Sequence, residues 1–208
     1  MNRGKFIVIE GLDGSGKSTQ IELLKAELEA SGHSVYITAE PTYYETGGYL
    51  RRILSQSIEK DMYLQSALFL ADRIEHITHP EFGIEQYLNE VYTVICDRYY
   101  FSSFAYQGTQ SDIDWVMDIN LKCKRIIKPD LCIFLDVNPD TCKSRIDSSR
   151  GQTELYEKDI NVMRSIRQNF MTVFEKLADT HNISVIDAND GVDAVFKQIK
   201  EQIMKGKI

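Results

Sequence analysis

The segment Gly11-Leu12-Asp13-Gly14-Ser15-Gly16-Lys17-Ser18 constrains this chain more than any other, because it dictates what flanks it. The apolar run Phe6-Ile7-Val8-Ile9 leads into it through Glu10, and Thr19-Gln20-Ile21-Glu22-Leu23-Leu24 leaves it with the spacing of an amphipathic helix. Strand, glycine-rich loop, Lys-Ser and helix in that order form a P-loop. Glycines let the backbone turn successive N–H groups toward a phosphate, and the helix N-terminus adds partial positive charge. Lys17 then reaches the β- and γ-phosphates, and the Ser18 hydroxyl is placed to ligate Mg²⁺. The residues of the cradle are Gly11, Leu12, Asp13, Gly14, Ser15, Gly16, Lys17, Ser18 and Thr19, and its ligand is a nucleoside triphosphate.

The rest of the chain supplies the sheet such a loop requires. Short, continuous, β-branched runs predict strands at Lys5–Glu10, Ser34–Thr38, Tyr92–Cys96, Leu131–Asp136 and Ile183–Asp187, a pattern of buried parallel strands. Helical patterns lie near Lys17–Ser31, Gly48–Ser57, Met62–His76, Glu81–Glu90, Asp114–Lys124, Pro139–Ile146, Glu157–His181 and Val192–Lys205. Gly32 stands where a helix stop belongs, and Pro139 suits a first helical turn. The alternation predicts an α/β P-loop NTPase: a doubly wound, five-stranded parallel sheet flanked by helices, with the loop at its carboxyl edge. No repeat or linker interrupts it, so residues 1–208 read as a single domain with a lid at about 146–156.

Composition excludes several classes. A net charge of −7 argues against a nucleic-acid polymer as partner, since such surfaces carry a basic footprint. No apolar run approaches the ~20 residues of a membrane span, and Met1–Lys5 enters the first strand directly, which predicts neither a membrane anchor nor a signal peptide. Cys96, Cys123, Cys132 and Cys142 form no CxxC pair and read as small buried apolar residues of a cytoplasmic protein. His33, His76, His79 and His181 are scattered and read as surface or satisfied side chains.

Four further groupings bear chemistry. Asp97-Arg98-Tyr99 follows a strand, where open α/β sheets bind ligands. Asp97 is therefore a candidate Mg²⁺ ligand, and Arg98 a bidentate fork for a phosphate. The polar stretch Arg145 to Thr153 suits a lid that excludes water and brings in arginine charge. Phe69 and Arg73, four apart on a helical pattern, share one face and can stack on a base and bond its edge. Glu40-Pro41 follows the second strand and turns the chain sharply beside an acceptor pocket.

Taken with Leu68-Phe69-Leu70-Ala71-Asp72-Arg73, Glu40-Pro41-Thr42, Ser102-Ser103, Ala105-Tyr106-Gln107-Gly108, Pro129-Asp130-Leu131 and Leu135-Asp136-Val137, these motifs resemble the thymidylate kinases, of a prokaryotic and archaeal-like type. The resemblance runs from about Lys5 to Asp187. It implies transfer of the γ-phosphoryl group of ATP to dTMP, with Mg²⁺, commonly in a homodimer. It implies that Asp13 contacts the deoxyribose 3′-hydroxyl, that Phe69 stacks on thymine and that Arg73 bonds its carbonyl edge. Arg98 would clamp the acceptor phosphate, Ser103 would lie near the base, Tyr106 would line the substrate pocket, and Tyr156 would discriminate against a 2′-hydroxyl. Arg145 would pack on the ATP adenine. Where some members carry a P-loop arginine this chain has Gly14, so the transition-state charge would come from the lid, from Arg150.

Two departures concern the acceptor phosphate. Ala39 replaces a frequent arginine before Glu-Pro, and Thr42-Tyr43-Tyr44 replaces a frequent Gly-Gly; Arg51 is expected to carry more of that grip. They leave room for a broader deoxynucleoside monophosphate kinase. A deoxynucleoside kinase is a weaker alternative, because its uncharged hydroxyl acceptor needs a carboxylate base and a Glu-Arg-Ser motif in place of Asp97-Arg98-Tyr99. A regulatory nucleotide switch would need an Asn-Lys-x-Asp base-recognition motif, which is missing.

Overall fold

The fold is that of a computed structural model describing residues 3–55, 58, 60–149 and 155–205. The elements run β1 (Phe6–Gly11), α1 (Lys17–Ala30), β2 (Val35–Ala39), α2 (Glu45–Ser55), α3 (Met62–Thr78), α4 (Ile84–Asn89), β3 (Thr93–Asp97), α5 (Tyr100–Gln107), α6 (Ile113–Leu121), β4 (Leu131–Asp136), α7 (Pro139–Ser149), α8 (Ile160–Leu177), β5 (Ile183–Asp187) and α9 (Val192–Lys205). The strands form one parallel sheet in the order β2-β3-β1-β4-β5. Parallel neighbours need crossovers, and helices on both faces supply them. β1 is buried along its whole length, which is why its sequence runs apolar without alternating.

All five expected strands are present, three of them displaced by one residue. α5 is an element the sequence pattern does not announce. Phe101, Phe104 and Ala105 are buried, and the polar face formed by Ser102, Ser103, Tyr106 and Gln107 turns to an internal cavity, so eight residues with almost no solvent-exposed side do not announce a helix. Nor does its own sequence cap it: Tyr99 at the N-cap offers no side-chain bond. The cap comes from Glu10, 89 residues earlier, whose Oε1 accepts the Tyr99 N–H at 2.9 Å and the Ser102 N–H at 3.1 Å. Aromatic side chains lock α5 onto α8, with Phe101 edge-on to Phe174 and Tyr106 edge-on to Phe170.

α7 runs on to Ser149, three residues beyond its expected end, so Arg145 sits inside the helix rather than closing it. The expected lid is thus partly the last turn of α7; residues 150–154, with Arg150, lie outside the described residues. Cys96, Cys132 and Cys142 are buried free thiols, in line with the sequence reading, whereas Cys123 is only half-buried. His76 is fully buried and bonded on both ring nitrogens.

Candidate active site

Parallel pairing brings the site together. β1 and β3 are in register with Ile9 opposite Asp97, so the loops leaving both strands emerge at the same sheet edge. Glu10, the one carboxylate in β1, is completely buried beneath them. Besides the two N–H groups of α5, it accepts the Ser102 hydroxyl on Oε2 at 2.6 Å. Burial lifts its pKa to about 7, against the opposing pull of Arg98 and these hydrogen bonds.

Arg98 takes a left-handed backbone, φ 67°, an uncommon conformation for a non-glycine residue. Its N–H is held by the Ile9 carbonyl at 3.0 Å. The turn aims the guanidinium across the P-loop. Nη2 meets Asp13 Oδ1 at 2.6 Å, and Nη1 donates to Ser102 Oγ at 3.1 Å. The Tyr106 hydroxyl donates to the other Asp13 oxygen at 3.2 Å. Burial alone would raise the Asp13 pKa, but the charges of Arg98 and Lys17 and the bonds from Arg98 and Tyr106 outweigh it and hold the carboxyl at about 2.

The P-loop is built to receive an anion. Gly16, φ 94°, is the N-cap of α1 and supplies no side-chain cap, and the first turn of α1 carries no acid. The N–H groups there are left for a ligand. Lys17 is buried, with Nζ donating to the carbonyls of Gly11 at 3.2 Å and Leu12 at 3.1 Å. Burial and nearby Arg98 lower its pKa, opposed by Asp97, Asp13 and Glu10. Ser15 Oγ is buried without a hydrogen-bond partner, whereas Ser18 and Thr19 are exposed. Arg145 reaches back from α7, its Nη1 donating to the Gly14 carbonyl at 3.2 Å.

Beside the loop lies a cavity of about 370 Å³. Asp13, Arg98 and Arg51 line it, together with Phe69, Tyr106 and Tyr156, and Arg73, Ser103 and Gln107. It gathers every residue expected to bind the acceptor. Arg73 is not the surface residue that a bare helical pattern would suggest. It is 1% exposed and bonded to Glu40, Asn120 and Ser103. Arg51 is engaged differently from expectation: Nε and Nη2 donate to the Thr42 and Pro41 carbonyls, and the guanidinium lies 3.8 Å from the Tyr43 ring centre. Tyr156 is held by Gln65 Oε1 at 3.3 Å and Gln107 Nε2 at 3.4 Å. Gln107 belongs to a motif quoted above, yet nothing in the sequence marks it as a ligand group; among the described residues its buried Oε1, in the cavity wall, has no hydrogen-bond partner. Asp97 Oδ1 is likewise buried and unpartnered, and Asp97 shares a second cavity, of about 480 Å³, with Ser18.

These features match a known architecture throughout. The thymidylate kinase family model covers residues 9–199. A probable thymidylate kinase of Pyrococcus horikoshii is 35% identical over 209 aligned positions, covering 97% of this chain and 98% of that protein. The chain belongs to the thymidylate kinase family. The thymidylate kinase of Caldicellulosiruptor saccharolyticus is 34% identical, covering 97% of this chain and 96% of its own. The solved structure of the Candida albicans thymidylate kinase superposes with a TM-score of 0.80 at 27% identity, over 99% of this chain and 93% of that one.

Gly14 shows why this member of the thymidylate kinase family carries no side chain at that P-loop position. Its φ is 79°, and a Cβ there would stand 2.6 Å from the Cys142 carbonyl oxygen of α7. Both the backbone and the space exclude a substituent. Gly14→Ala is expected to lower unfolding free energy by at least about 1 kcal/mol from the left-handed conformation alone. Urea unfolding of wild type and variant checks this; coincident midpoints would show that α7 yields freely.

Proposed function

We propose that the 370 Å³ cavity holds dTMP with its base toward Arg73 and its phosphate toward Arg98, and that ATP lies across the P-loop. The chain phosphorylates dTMP to dTDP with ATP. The observation that carries the binding mode is the unpartnered acceptor Gln107 Oε1 in the cavity that the Arg73 and Ser103 donors also line. Thymine presents a carbonyl beside an N3–H, which pairs donor with acceptor and acceptor with donor. Cytosine reverses both positions and leaves buried groups facing their like, an arrangement that discriminates strongly. Phe69 offers a flat face for the ring, and Tyr156 closes the sugar end against a 2′-hydroxyl.

In this reading a phosphate oxygen of dTMP attacks the γ-phosphorus in line. The acceptor is ionised at neutral pH and needs no strong base, so positioning and charge carry the reaction. Asp13 exchanges part of its bond to Arg98 for the 3′-hydroxyl, freeing the Arg98 fork for the acceptor phosphate. Lys17 leaves the loop carbonyls for the β- and γ-phosphates. Arg51 stiffens the Pro41–Thr42 backbone at the phosphate end while lining the same cavity. We place Arg145 at the adenine and Arg150 at the transferred group.

Mg²⁺ fits the residues present. Asp97 brings an unpartnered buried oxygen and Ser18 an exposed hydroxyl to one cavity, and among the described residues no cluster of three or more His, Cys, Asp or Glu forms a closed cage. A Mg²⁺ held by so few protein groups keeps waters and nucleotide oxygens as its other ligands and would offset phosphate charge there. Exposed Tyr49 of α2 and Tyr63 and Leu64 of α3 suit a homodimer face. Free thiols suit a cytoplasmic setting, and no described helix is long and apolar enough to cross a membrane.

Arg73→Ala tests the pocket. It should weaken dTMP by roughly 1.5–3 kcal/mol, the range for a charged hydrogen bond, and leave the ATP constant nearly unchanged. Equal shifts in both constants would reduce Arg73 to a structural ion pair. Rates with dTMP, dUMP, dCMP, UMP and thymidine as acceptors measure how narrow the selectivity is and separate this reading from a broader deoxynucleoside monophosphate kinase.

A further inference from the structure

Arg73 is buried among bonds that nearly exhaust it. Nε and Nη2 reach Glu40 Oε2 at 2.9 and 2.6 Å, Nη2 also donates to Ser103 Oγ at 3.1 Å, and Nη1 donates to Asn120 Oδ1. A guanidinium has five N–H donors, so among the described residues one Nη1 hydrogen remains to meet a base. Its direction depends on where Glu40 stands. Glu40 belongs to the segment after β2, and its carboxylate could rotate together with the arginine it binds.

His76 removes that freedom. One turn beyond Arg73 on α3, its Nδ1 lies 3.1 Å from the second Glu40 oxygen, and its Nε2 lies 2.6 Å from Thr38 Oγ1. The His76 and Glu40 side chains are 0% and 2% exposed. A ring whose Nδ1 donates to the carboxylate shares its Nε2 bond with Thr38 Oγ1 in either sense, since the hydroxyl can donate or accept. The ring thus ties β2 to α3 and fixes the carboxylate from behind, without lining the dTMP cavity.

We infer that His76 is a positioning residue for base recognition: by clamping Glu40 it aims the last free donor of Arg73 at the base carbonyl. This rests on the proposal that the cavity holds dTMP. The test compares kcat/KM for dTMP and for 4-thiothymidine monophosphate, which keeps N3–H but replaces the carbonyl oxygen by a weakly accepting sulfur. Wild type should prefer dTMP. His76→Phe, which keeps a ring but has no donor, should reduce that preference about tenfold through KM for the acceptor, with KM for ATP unchanged. His76→Asn retains an N–H toward Glu40 and should restore it. An unchanged preference in His76→Phe, or an equal loss in His76→Asn, overturns the inference. If His76→Phe does not fold, Thr38→Val decides: it frees Nε2 alone, and a preference equal to wild type overturns the inference. Arg73→Ala separates the two levels. If it abolishes the preference while His76→Phe does not, only the positioning role falls. If wild type shows no preference, or Arg73→Ala keeps it, the base-reading proposal falls and this one with it.

Discussion

Lys17→Ala is expected to lower turnover by about 10²-fold or more while the fold survives. The ammonium is the cation of the P-loop itself, and among the described residues its hydrogen bonds go to the Gly11 and Leu12 carbonyls, acceptors that a nucleotide phosphate would replace. Its removal takes away charge stabilisation that grows as the γ-phosphoryl transfers. Single-turnover phosphoryl transfer from ATP to dTMP measures the effect, and far-UV circular dichroism checks the fold. A rate within tenfold of wild type would remove Lys17 from the chemistry.

Arg98→Ala should be comparably severe, lowering kcat/KM for dTMP by about 10³-fold. Arg98 couples three parts of the site: the P-loop through Asp13, α5 through Ser102, and the pocket it lines. Arg98→Lys should recover only a small part, because an ammonium is a compact point charge that cannot reproduce the planar fork spanning Asp13 and Ser102. A second signature follows from charge. Asp13 owes its low pKa chiefly to Arg98, so in Arg98→Ala the carboxyl should titrate well above 2 and the acid limb of the pH–rate profile should move upward. A profile with an unmoved acid limb would show that Asp13 does not need Arg98 to stay ionised.

The sheet was legible because its central strands β1, β3 and β4 are buried on both sides and read as continuous apolar runs, and because helical periods flank all five strands. The phosphate-binding half of the site was legible because a P-loop is contiguous in sequence. What escaped was what depends on residues far apart. Glu10 reads as a polar interruption in an apolar strand, and only the fold shows it capping a helix 89 residues away. α5 is eight residues long, turns its polar face to an internal cavity instead of solvent, and has no local cap. The spacing of Phe69 and Arg73 alone favours a core Phe and a surface Arg, and only the family resemblance gives Arg73 a role; its burial rests on partners far apart in sequence, Glu40 after β2, Ser103 of α5 and Asn120 of α6. The engagement of Arg51 with the Pro41 and Thr42 carbonyls depends on the conformation of a loop that no pattern specifies.

Glu10 has one further consequence, in the exchange of protons with solvent. Its folded pKa of about 7 stands above the unfolded value of 4.5. Between those two pH values the native chain holds a proton that the unfolded chain has released. The stabilisation from this group is therefore complete below about pH 4.5, declines as pH rises, and is gone above about 7, a difference of about 3 kcal/mol. Asp13 acts in the opposite sense, its contribution present above about pH 4 and lost toward 2. Glu10→Gln can keep the acceptor for both N–H groups and offer its amide to Ser102, so it should erase the Glu10 component. The wild type minus variant difference in urea-unfolding free energy should then fall from pH 4.5 to 7.5, and a flat difference would contradict it. Folding of this chain near pH 6 is then expected to take up a proton at the base of its phosphate-binding loop, which each unfolding molecule would return to the medium.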